Sequence, residues 1–321
     1  MTDSNSTADE PPLPPRLVAV IDIGASSLRM QIAEIHAEVG RIRKIETFSQ
    51  AVSIGQDSFA DRLITRATIE DCVHVLKIYR QRLNEYDIVD PAMIRVVATS
   101  GVREASNRIQ FIDRVFIATG FEIEPFDEAE LHRVTYLGIL PFIEKQSKHF
   151  SGESLVLEVG GGTSELLLLK QADVMYSRTY RLGSLRLRYA MDQYDGTPSK
   201  TREFVENQIS QVISEFTLSA KYPRPRNLIA MGSEVRFAAQ EINQRPVGKQ
   251  LEEVKLGPFE KFVEKILAQT PDQLAAKYHL SLPDSKAIGP GLLTQLMFAR
   301  KFEVRKILVA NSNLRDGLVQ E

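Results

Sequence analysis

An eight-residue pattern occurs twice in this chain, and it constrains the fold more than any other sequence feature. Residues 20–27 and 156–163 each consist of two apolar residues, a carboxylate, an apolar residue, a glycine, two small residues and a hydroxyl. In each copy an apolar run precedes the glycine and a second one follows the hydroxyl, which is typical of a β-hairpin with a tight tip. Two matched copies indicate a duplicated domain with a cleft between the halves.

The segments between and after the two copies alternate between helix-like and strand-like patterns. Apolar residues recur at helical spacing over 62–83, where Cys72 is predicted to be a core residue, and over 203–218. Short apolar runs at 93–98 and 305–310 predict buried strands. Strands that alternate with helices predict an α/β fold built on central sheets.

Composition excludes several classes of protein. A length of 321 residues suits one large domain or two ordinary ones, and 43% apolar with 26% charged residues is typical of a globular protein with a core. The 40 Lys and Arg against 42 Asp and Glu give a net charge of −2, so no global basic field attracts nucleic acid or an anionic membrane. The apolar runs are too short to span a membrane, and a single cysteine excludes disulfide frameworks and Cys-based zinc sites.

The first fifteen residues differ from the rest. Residues 1–15 are acidic and contain PPLPP, which cannot join a helix or a central strand, so we expect a disordered tail. They lack the basic-then-apolar order of a signal peptide. A cytoplasmic location is therefore expected.

The glycine turns carry the clearest chemical signal. Glycine at a strand end lets the backbone turn sharply, and the N–H groups that follow can bind a phosphate. Asp22 and Glu158 lie two residues before the glycines, where a carboxylate can hold a divalent metal or its water. For either copy alone, the alternative is a hairpin turn with an incidental acid. Two matched copies argue against that alternative, because burying acids at two equivalent points would be costly. No GxxxxGK[ST] is present, which excludes a P-loop.

Arginine gives a second signal for phosphate. Arg103 follows a predicted strand, and its forked guanidinium suits bidentate phosphate binding, with a surface pair to Glu104 as the alternative. Four more arginines lie within 178–188. Strand alternation there predicts Arg186 and Arg188 on one face as a basic wall, with a solvated sheet edge as the alternative.

Hydrolysis of a phosphoanhydride also needs an activated water, for which a carboxylate is a suitable base. Asp127, Glu128 and Glu130 cluster between the two copies of the repeat. From the sequence alone they are interpreted as helix N-terminal acids that interact favourably with the macrodipole. The five histidines show no metal-ligand spacing.

Seven segments in a fixed order carry a family resemblance. They are DIGASSLRM (22–30), ATSGVREASN (98–107), DEAELHR with VTYLG (127–138), LEVGGGTSELLLL (157–169), RLGSLRLR (181–188), MGSEVRFAA (231–239) and LRDGLV (314–319). Together they resemble the exopolyphosphatase / guanosine pentaphosphate phosphohydrolase (Ppx/GppA) family, within the sugar kinase–Hsp70–actin superfamily. The ordered set covers nearly the whole chain after the tail and is far more specific than any one segment.

The resemblance implies a fold and a reaction. It implies two actin-like (ribonuclease H-like) α/β domains, at 16–126 and 127–321, with the site in the cleft between them, no C-terminal accessory domain, and a C-terminal segment that can pack back on the first domain. It implies Mg²⁺-dependent hydrolysis, by water, of a terminal phosphoanhydride of inorganic polyphosphate or guanosine pentaphosphate. Neither nucleic acid nor integral membrane contact is expected, and the resemblance allows a homodimer.

The resemblance also implies roles for individual residues. A glutamate of the family's EEA-type segment serves as general base, which assigns that role to Glu130, and the arginine on the substrate phosphates matches Arg103. Asp22, Glu158 and Glu165 match the metal-associated acids. The residues expected at the phosphates are Gly24, Ala25, Ser26, Ser27, Ser100, Gly160, Gly161, Gly162, Thr163, Ser164 and Arg186.

The chain departs from the family pattern at several of these positions. The family's GSNS segment is matched here by GASS at 24–27, which has Ser26 in place of the asparagine. The aspartate of its DIGGGS segment is matched by Glu158, and the second glutamate of its EEA segment is matched by Leu131. These departures keep open a second hypothesis, a non-catalytic sensor that binds polyphosphate or an alarmone and signals by domain closure. A third, an ATP-dependent kinase of the same superfamily, is opposed by the ATSGVREA and RLGSLRLR segments.

Overall fold

The structure is a computed structural model that describes residues 14–36, 41–150 and 152–321, with the backbone alone at residue 149. Most of the predicted tail, 1–13, lies outside the described residues. Within them the chain forms two mixed sheets with helices on their faces, which confirms the predicted α/β fold. None of the helices in these ranges is long and apolar enough to cross a membrane.

The order of elements repeats between the two halves. The first half contains β1 (Arg16–Ile23), β2 (Ser27–His36), β3 (Arg41–Ala51), α1 (Ile54–Asp61), α2 (Arg66–Glu85), β4 (Ile94–Ala98), α3 (Ser100–Arg103), α4 (Arg108–Thr119) and β5 (Ile123–Pro125). The second half contains α5 (Glu128–Lys145), β6 (Glu153–Val159), β7 (Ser164–Lys170), β8 (Asp173–Tyr180), α6 (Ser184–Gln193), α7 (Pro198–Ser219), β9 (Asn227–Met231), α8 (Ser233–Asn243), β10 (Glu252–Lys255), α9 (Leu256–Leu267), α10 (Pro271–Tyr278), α11 (Leu282–Lys301), β11 (Lys306–Val309) and α12 (Leu314–Leu318).

The two sheets have equivalent topologies. In the described residues the first sheet has the order β3-β2-β1-β4-β5, and the second has β10-β11-β9-β6-β7-β8. Each begins with an antiparallel meander, β1-β2-β3 or β6-β7-β8, and continues with two strands parallel to its first strand. The second sheet has in addition the edge strand β10, which is antiparallel to β11. The repeated sequence pattern therefore marks the first hairpin of each of two duplicated α/β units.

The register of the two hairpins pairs the repeat's carboxylates with different partners. Asp22 on β1 lies opposite Arg29 on β2, whereas Glu158 on β6 lies opposite Glu165 on β7. Residues directly opposite each other in a sheet project to the same face, so each pair lies on one side of its hairpin. The first copy thus carries opposite charges and the second carries two acids.

Helix α5 joins the two units by packing on both sheets. Leu131 and Val134, near its N-terminus, pack with Val20 of the first sheet. Ile139 and Phe142, further along, pack with strands of the second sheet. Helix α12 at the end of the chain joins the first of these clusters and contacts β1. The C-terminal segment therefore packs back on the first unit; the domain limits at 126 and 127 stay a prediction.

One sequence-based element was wrong. The segment 184–193 forms helix α6, so the strand alternation predicted for Arg186 and Arg188 does not occur. Two residues along an α-helix turn the side chain by about 200°, so these two arginines point in nearly opposite directions. Leu187 and Met191, four residues apart, face the core of the second unit. Over so short a segment, leucines that alternate with arginines fit a strand pattern as well as a helix.

The predicted helix over 62–83 begins at Arg66, where the Thr65 side chain caps it. Cys72 is fully buried on α2, as predicted, and burial raises the pKa of its thiol to about 12. A thiol with so high a pKa is not a nucleophile near neutral pH. Leu63 and Ile78 of the same pattern are exposed.

Candidate active site

A cleft of about 120 Å³ lies where the tips of the two first hairpins face each other. Most of the residues predicted at the phosphates or the metal line this cleft. Its lining consists of Asp22, Gly24, Ala25, Ser26, Ser27, Arg29, Thr99, Ser100, Leu131, Glu158, Val159, Gly160, Gly161, Gly162, Thr163, Glu165, Ser184, Leu185, Gly232, Ser233, Glu234, Arg236, Asp284, Ala287, Asn313 and Leu314.

The two hairpin tips have the same backbone geometry. The N–H of Gly24 donates to the carbonyl of Ser27 at 3.0 Å, and the N–H of Gly160 donates to that of Thr163 at 2.9 Å. This bond closes each turn and leaves the N–H groups between its ends available to a ligand. In the described part of the chain, backbone acceptors are lacking for the N–H groups of Ala25, Ser26, Gly161 and Gly162.

The second tip is pressed against the first unit. A Cβ at Gly162 would lie 2.4 Å from both Phe59 Cζ and Ser100 Oγ, so only glycine fits here. The glycine is required by a close approach and not by a left-handed backbone. The glycine turn of the second unit therefore packs directly onto the first unit, and both tips line the same cleft.

The floor of the cleft at the second tip holds two acids. Glu165 is 3% exposed, and its Oε1 has no hydrogen-bond partner among the described residues. Glu158 accepts a hydrogen bond from Thr135 Oγ1 at 3.1 Å. Burial raises the pKa of both carboxyls, and the charge of Glu158 contributes to raising the pKa of Glu165 to about 8. Ionising a buried carboxyl beside a half-buried second one is costly, and a bound cation would stabilise the charged forms of both.

The first tip carries its own counter-charges. Asp22 Oδ2 accepts a hydrogen bond from Arg315 Nη1 at 3.1 Å, and both side chains are buried. Arg29, opposite Asp22 in the hairpin, also lines the cleft. Asp22, which the sequence predicts at the metal, is therefore already ion-paired in this structure.

Three arginines at the cleft were missed by the sequence reasoning: Arg29, Arg236 and Arg315. Arg236 Nη1 donates to the carbonyl of Ser312 at 2.9 Å, and burial lowers the pKa of its guanidinium. Arg29 could have been found from the hairpin register, since it lies opposite Asp22. Arg315 and Arg236 reach the cleft only through the tertiary fold, although both lie in segments that carry the family resemblance.

Two further acids in the cleft lining, Glu234 and Asp284, were not predicted from the sequence. Glu234, at the start of α8, accepts hydrogen bonds from Ser184 Oγ at 2.9 Å and from Ser233 Oγ at 3.0 Å. Gly291 lies directly behind it, where a Cβ would be 3.2 Å from Glu234 Cγ. Glu234 links α8 to the N-terminus of α6 and so stabilises the wall beside the second tip.

Four predicted site residues lie outside the lining. Arg103 Nη1 donates to the carbonyl of Phe126 at 2.9 Å. Arg186 donates to Glu104 at 2.7 Å and to the carbonyl of Gly162 at 2.8 Å. It therefore stabilises the second tip from outside the cleft lining. Ser164 is buried and donates to the carbonyl of Leu182. The fourth residue is Glu130.

Glu130 takes part in a helix cap. Asp127 Oδ1 accepts from the N–H of Glu130 at 2.9 Å, and Glu130 Oε2 accepts from the N–H of Asp127 at 3.2 Å, which makes a reciprocal capping box. The interpretation of Asp127, Glu128 and Glu130 as helix N-terminal acids is confirmed. The next residue, Leu131, is the one that α5 presents to the cleft, since successive helical side chains diverge by about 100°.

The donor chemistry of the cleft suits a hard cation. Among the described residues, no three His, Cys, Asp or Glu side chains are grouped closely enough to hold a metal ion by themselves. Mg²⁺ commonly uses one or two carboxylates and completes its shell with water and substrate phosphates. Glu158 and Glu165, with the unpartnered Oε1 of Glu165, fit that requirement.

Comparison with solved structures shows the same fold. An exopolyphosphatase from Cytophaga hutchinsonii ATCC 33406 is 20% identical with a TM-score of 0.80, covering 95% of this chain and 96% of that one. The Aquifex aeolicus member of the Ppx/GppA family is 23% identical with a TM-score of 0.73, covering 96% and 97% of the two chains. Both likenesses extend over the two sheets and the cleft between them.

Comparison of sequences identifies the family. A bifunctional 3-dehydroquinate synthase/phosphatase from Fusobacterium nucleatum subsp. nucleatum is 28% identical over 174 residues, 53% of this chain. That match spans only 26% of the length of the relative. The sequence model of the Ppx/GppA phosphatase family matches residues 19–321. The chain therefore belongs to the Ppx/GppA phosphatase family.

Proposed function

We propose that the cleft hydrolyses the terminal phosphoanhydride of inorganic polyphosphate or of guanosine pentaphosphate, with Mg²⁺ bound. The observation that carries this proposal is that two glycine turns with free N–H groups and two cross-strand acids line one cleft. A volume of about 120 Å³ admits a terminal phosphate group and a few waters, taking about 30 Å³ for each water. The family and its exopolyphosphatase relative support the reaction class.

The two hairpin tips would bind the terminal phosphate. The N–H groups of Ala25, Ser26, Gly161 and Gly162 converge on the cleft and would donate to the phosphate oxygens. Arg29, which lines the same wall, would neutralise part of the charge. Arg103 and Arg186 would act indirectly, because their guanidinium groups hold the backbone around the cleft.

Glu158 and Glu165 would hold Mg²⁺ at the floor of the cleft. Bound there, the ion would neutralise negative charge on the phosphate oxygens. The same ion would relieve the repulsion between two buried carboxylates, which raises the pKa of Glu165. Asp22 would contribute through its ion pair with Arg315, which orients β1 and α12 at the mouth of the site.

The attacking water needs an acceptor for its proton. Glu165 lines the cleft, its buried Oε1 has no hydrogen-bond partner among the described residues, and we assign it this role. The family resemblance assigned this role to Glu130. Its carboxylate is turned toward the N–H of Asp127, away from the cleft lining, and would have to leave the cap to reach a substrate.

Replacement of Glu130 by Gln separates these two assignments. Gln at the third helical position keeps the reciprocal cap but cannot accept a proton from water. We expect the rate of phosphate release to stay within about threefold of the unmutated protein, since a general base contributes 10²–10⁴-fold. The exposed Glu128→Gln is the matched control in the same turn. A hundredfold loss in the rate of phosphate release in Glu130→Gln, without such a loss in Glu128→Gln, would assign the general-base role to Glu130.

A binding protein with slow turnover is the second candidate function, and one observation favours it. Where the family resemblance has a second glutamate, α5 presents Leu131 to the cleft. The wall contributed by α5 is therefore apolar at that position. Tight Mg²⁺-dependent binding of guanosine pentaphosphate without phosphate release would support this function over hydrolysis.

A further inference from the structure

The carboxylate of Glu104 joins the two units beside the cleft. Glu104 ends α3 in the first unit and accepts hydrogen bonds from two arginines of the second unit. Its Oε1 accepts from Arg186 Nη2 at 2.7 Å, and its Oε2 accepts from Arg181 Nη2. The neighbouring Arg103, considered from the sequence as a surface partner of Glu104, donates instead to the carbonyl of Phe126. The ion pairs of Glu104 therefore cross from one unit to the other.

The two arginine partners of Glu104 differ in exposure. The side chains of Glu104 and Arg186 are 16% and 18% exposed, whereas that of Arg181 is 61% exposed. An exposed ion pair is weakened by water and salt and contributes little, but a largely buried pair is screened much less. The pair between Glu104 and Arg186 is therefore the stronger of the two links between the units.

Arg186 connects Glu104 to the second hairpin tip. Its Nη2 binds Glu104, while its Nε donates to the carbonyl of Gly162 at 2.8 Å. A guanidinium is planar and rigid, so the two bonds hold their acceptors in a fixed relative geometry. The same guanidinium lies 4.0 Å from the ring centroid of Phe59 on α1, a cation–π contact with the first unit. The position of Gly162 thus depends on where Glu104 holds Arg186.

Helix α3 contacts the second tip at both of its ends. At its start, Ser100 packs so closely on Gly162 that a Cβ there would lie 2.4 Å from Ser100 Oγ. At its end, Glu104 reaches the same tip through Arg186. The N–H of Glu104 donates to the carbonyl of Ser100 at 3.0 Å, so one helical turn separates the two contacts. Two contacts from one short, rigid element fix both the distance and the orientation of the tip.

Without the Glu104–Arg186 pair, the two hairpin tips would be held together less firmly. A phosphate that contacts both tips would then have to draw them together, at a cost in binding free energy. When only a fraction of the molecules has the binding-competent arrangement, the apparent affinity falls by that fraction. Saturating ligand restores the arrangement, so the rate of the bound complex should be retained.

We propose that Glu104 is a positioning residue for the phosphate site: through Arg186, it holds the second hairpin tip in place against the first unit before the ligand binds. This inference rests on the proposed function, because it takes the two tips as the phosphate-binding turns. Glu104 lies outside the cleft lining that the described residues form. It therefore contributes to affinity without contacting the ligand.

The kinetics of Glu104→Gln test this role, because Gln keeps the length of the side chain and removes its charge. For phosphate release from inorganic tripolyphosphate with Mg²⁺, we expect KM to rise about tenfold, as for the loss of one hydrogen bond between charged groups. We expect kcat to stay within about twofold, which is the signature of lost binding alone. Partial misfolding would instead lower kcat and leave KM unchanged. Glu70→Gln is the matched control, since it removes an exposed ion pair with Arg66 inside α2 and should change neither constant.

A double-mutant cycle tests whether Glu104 acts through Arg186. Arg186→Lys keeps the charge but lacks the fork that binds Glu104 and Gly162 together, so it should also raise KM. In that background, Glu104→Gln should change KM less than about twofold, because the two residues act as one unit. Arg181→Ala should raise KM less than Arg186→Lys does. Independent, multiplying effects of the Glu104 and Arg186 variants would overturn the inference, as would a fall in kcat at constant KM in Glu104→Gln.

Titration calorimetry with inorganic phosphate and Mg²⁺ gives the same comparison without turnover. We expect the phosphate affinity of Glu104→Gln to be about tenfold below that of the unmutated protein. This loss in a protein that releases no phosphate from any substrate would support the inference and contradict the proposed function. Phosphate release with unchanged KM and unchanged phosphate affinity in Glu104→Gln would overturn the inference and leave the proposed function standing.

Discussion

Replacing Glu165 by Gln is expected to abolish phosphate release and, at the same time, to make the metal-free protein more stable at pH 8. The loss of activity should reach at least about a hundredfold, because the substitution removes both the proton acceptor and a metal-binding oxygen. Gln has nearly the same shape as Glu, so the cleft should keep its geometry. Activity and stability should therefore change in opposite directions.

The stability effect follows from the raised pKa of Glu165. In the folded protein this pKa is about 8, against an ordinary value of 4.5, because the carboxyl is buried beside Glu158. Between these two values the unfolded chain has lost a proton that the folded chain still binds, so the free energy of unfolding falls as pH rises. Gln does not titrate, so the free energy of unfolding of the variant should not show this fall with pH. We expect the difference to be on the order of a few kcal/mol.

Urea unfolding at pH 5 and pH 8, without Mg²⁺, measures this difference. The variant should gain stability relative to the unmutated protein at pH 8 and differ little at pH 5. Glu122→Gln, at an exposed position, is the control and should leave both the pH profile and the activity unchanged. Retention of the full rate of phosphate release in Glu165→Gln would remove this residue from the mechanism.

Gly183→Ala is expected to disrupt the second hairpin tip from outside the cleft. A Cβ at this position would lie 2.3 Å from the carbonyl oxygen of Gly161 and 2.4 Å from the carbonyl carbons of Gly161 and Gly162. These are backbone atoms, which cannot rotate away as a side chain could. The backbone of Gly183 is extended, so the cost comes from this collision and not from its dihedral angles.

The collision would displace the phosphate-binding turn. The N-terminus of α6 is bonded to the same turn, through Ser184 N to the carbonyl of Gly160 at 2.9 Å and Leu185 N to that of Gly161 at 3.0 Å. Moving the turn by about 1 Å should lower the rate of phosphate release about a hundredfold. Overpacking of this kind should also cost about 3 kcal/mol of stability.

Thermal unfolding and phosphate release, measured on the same preparation, test this expectation. Gly248→Ala is the matched control, since a Cβ there meets no atom within 4 Å and the residue is exposed. Near-normal stability and activity in Gly183→Ala would show that the turn tolerates displacement and is not the phosphate cradle.

The sequence predicted the two first hairpins and their glycine tips because both are local. A strand, a tight turn and a returning strand are specified by consecutive residues, and the repeat showed that they occur twice. The ion pair between Asp22 and Arg315 could not be found in this way. It joins the first strand to the last helix, which come together only when α12 packs between the two units.

The wrong strand prediction at 184–188 has an equally local cause. Leu185 and Leu187 alternate with arginines as in a strand, but the fold buries Leu187 with Met191, at helical spacing. For Glu130, the sequence correctly predicted a first-turn acid. The direction of its side chain depends on whether Asp127 completes the reciprocal cap, and it does. That leaves Leu131 as the residue facing the cleft, an outcome set by helix phase.

Phosphate release from guanosine pentaphosphate by the purified chain, with Mg²⁺ and then with excess chelator, tests the central claim most directly. We predict release of one phosphate per molecule with Mg²⁺, restored after chelation by added Mg²⁺, and lost in Glu165→Gln. Inorganic tripolyphosphate, run beside it, tests the other substrate of the proposed function. Mg²⁺-independent release, or no release from either compound by a folded protein, would contradict a metal-assisted phosphoanhydride hydrolase at this cleft.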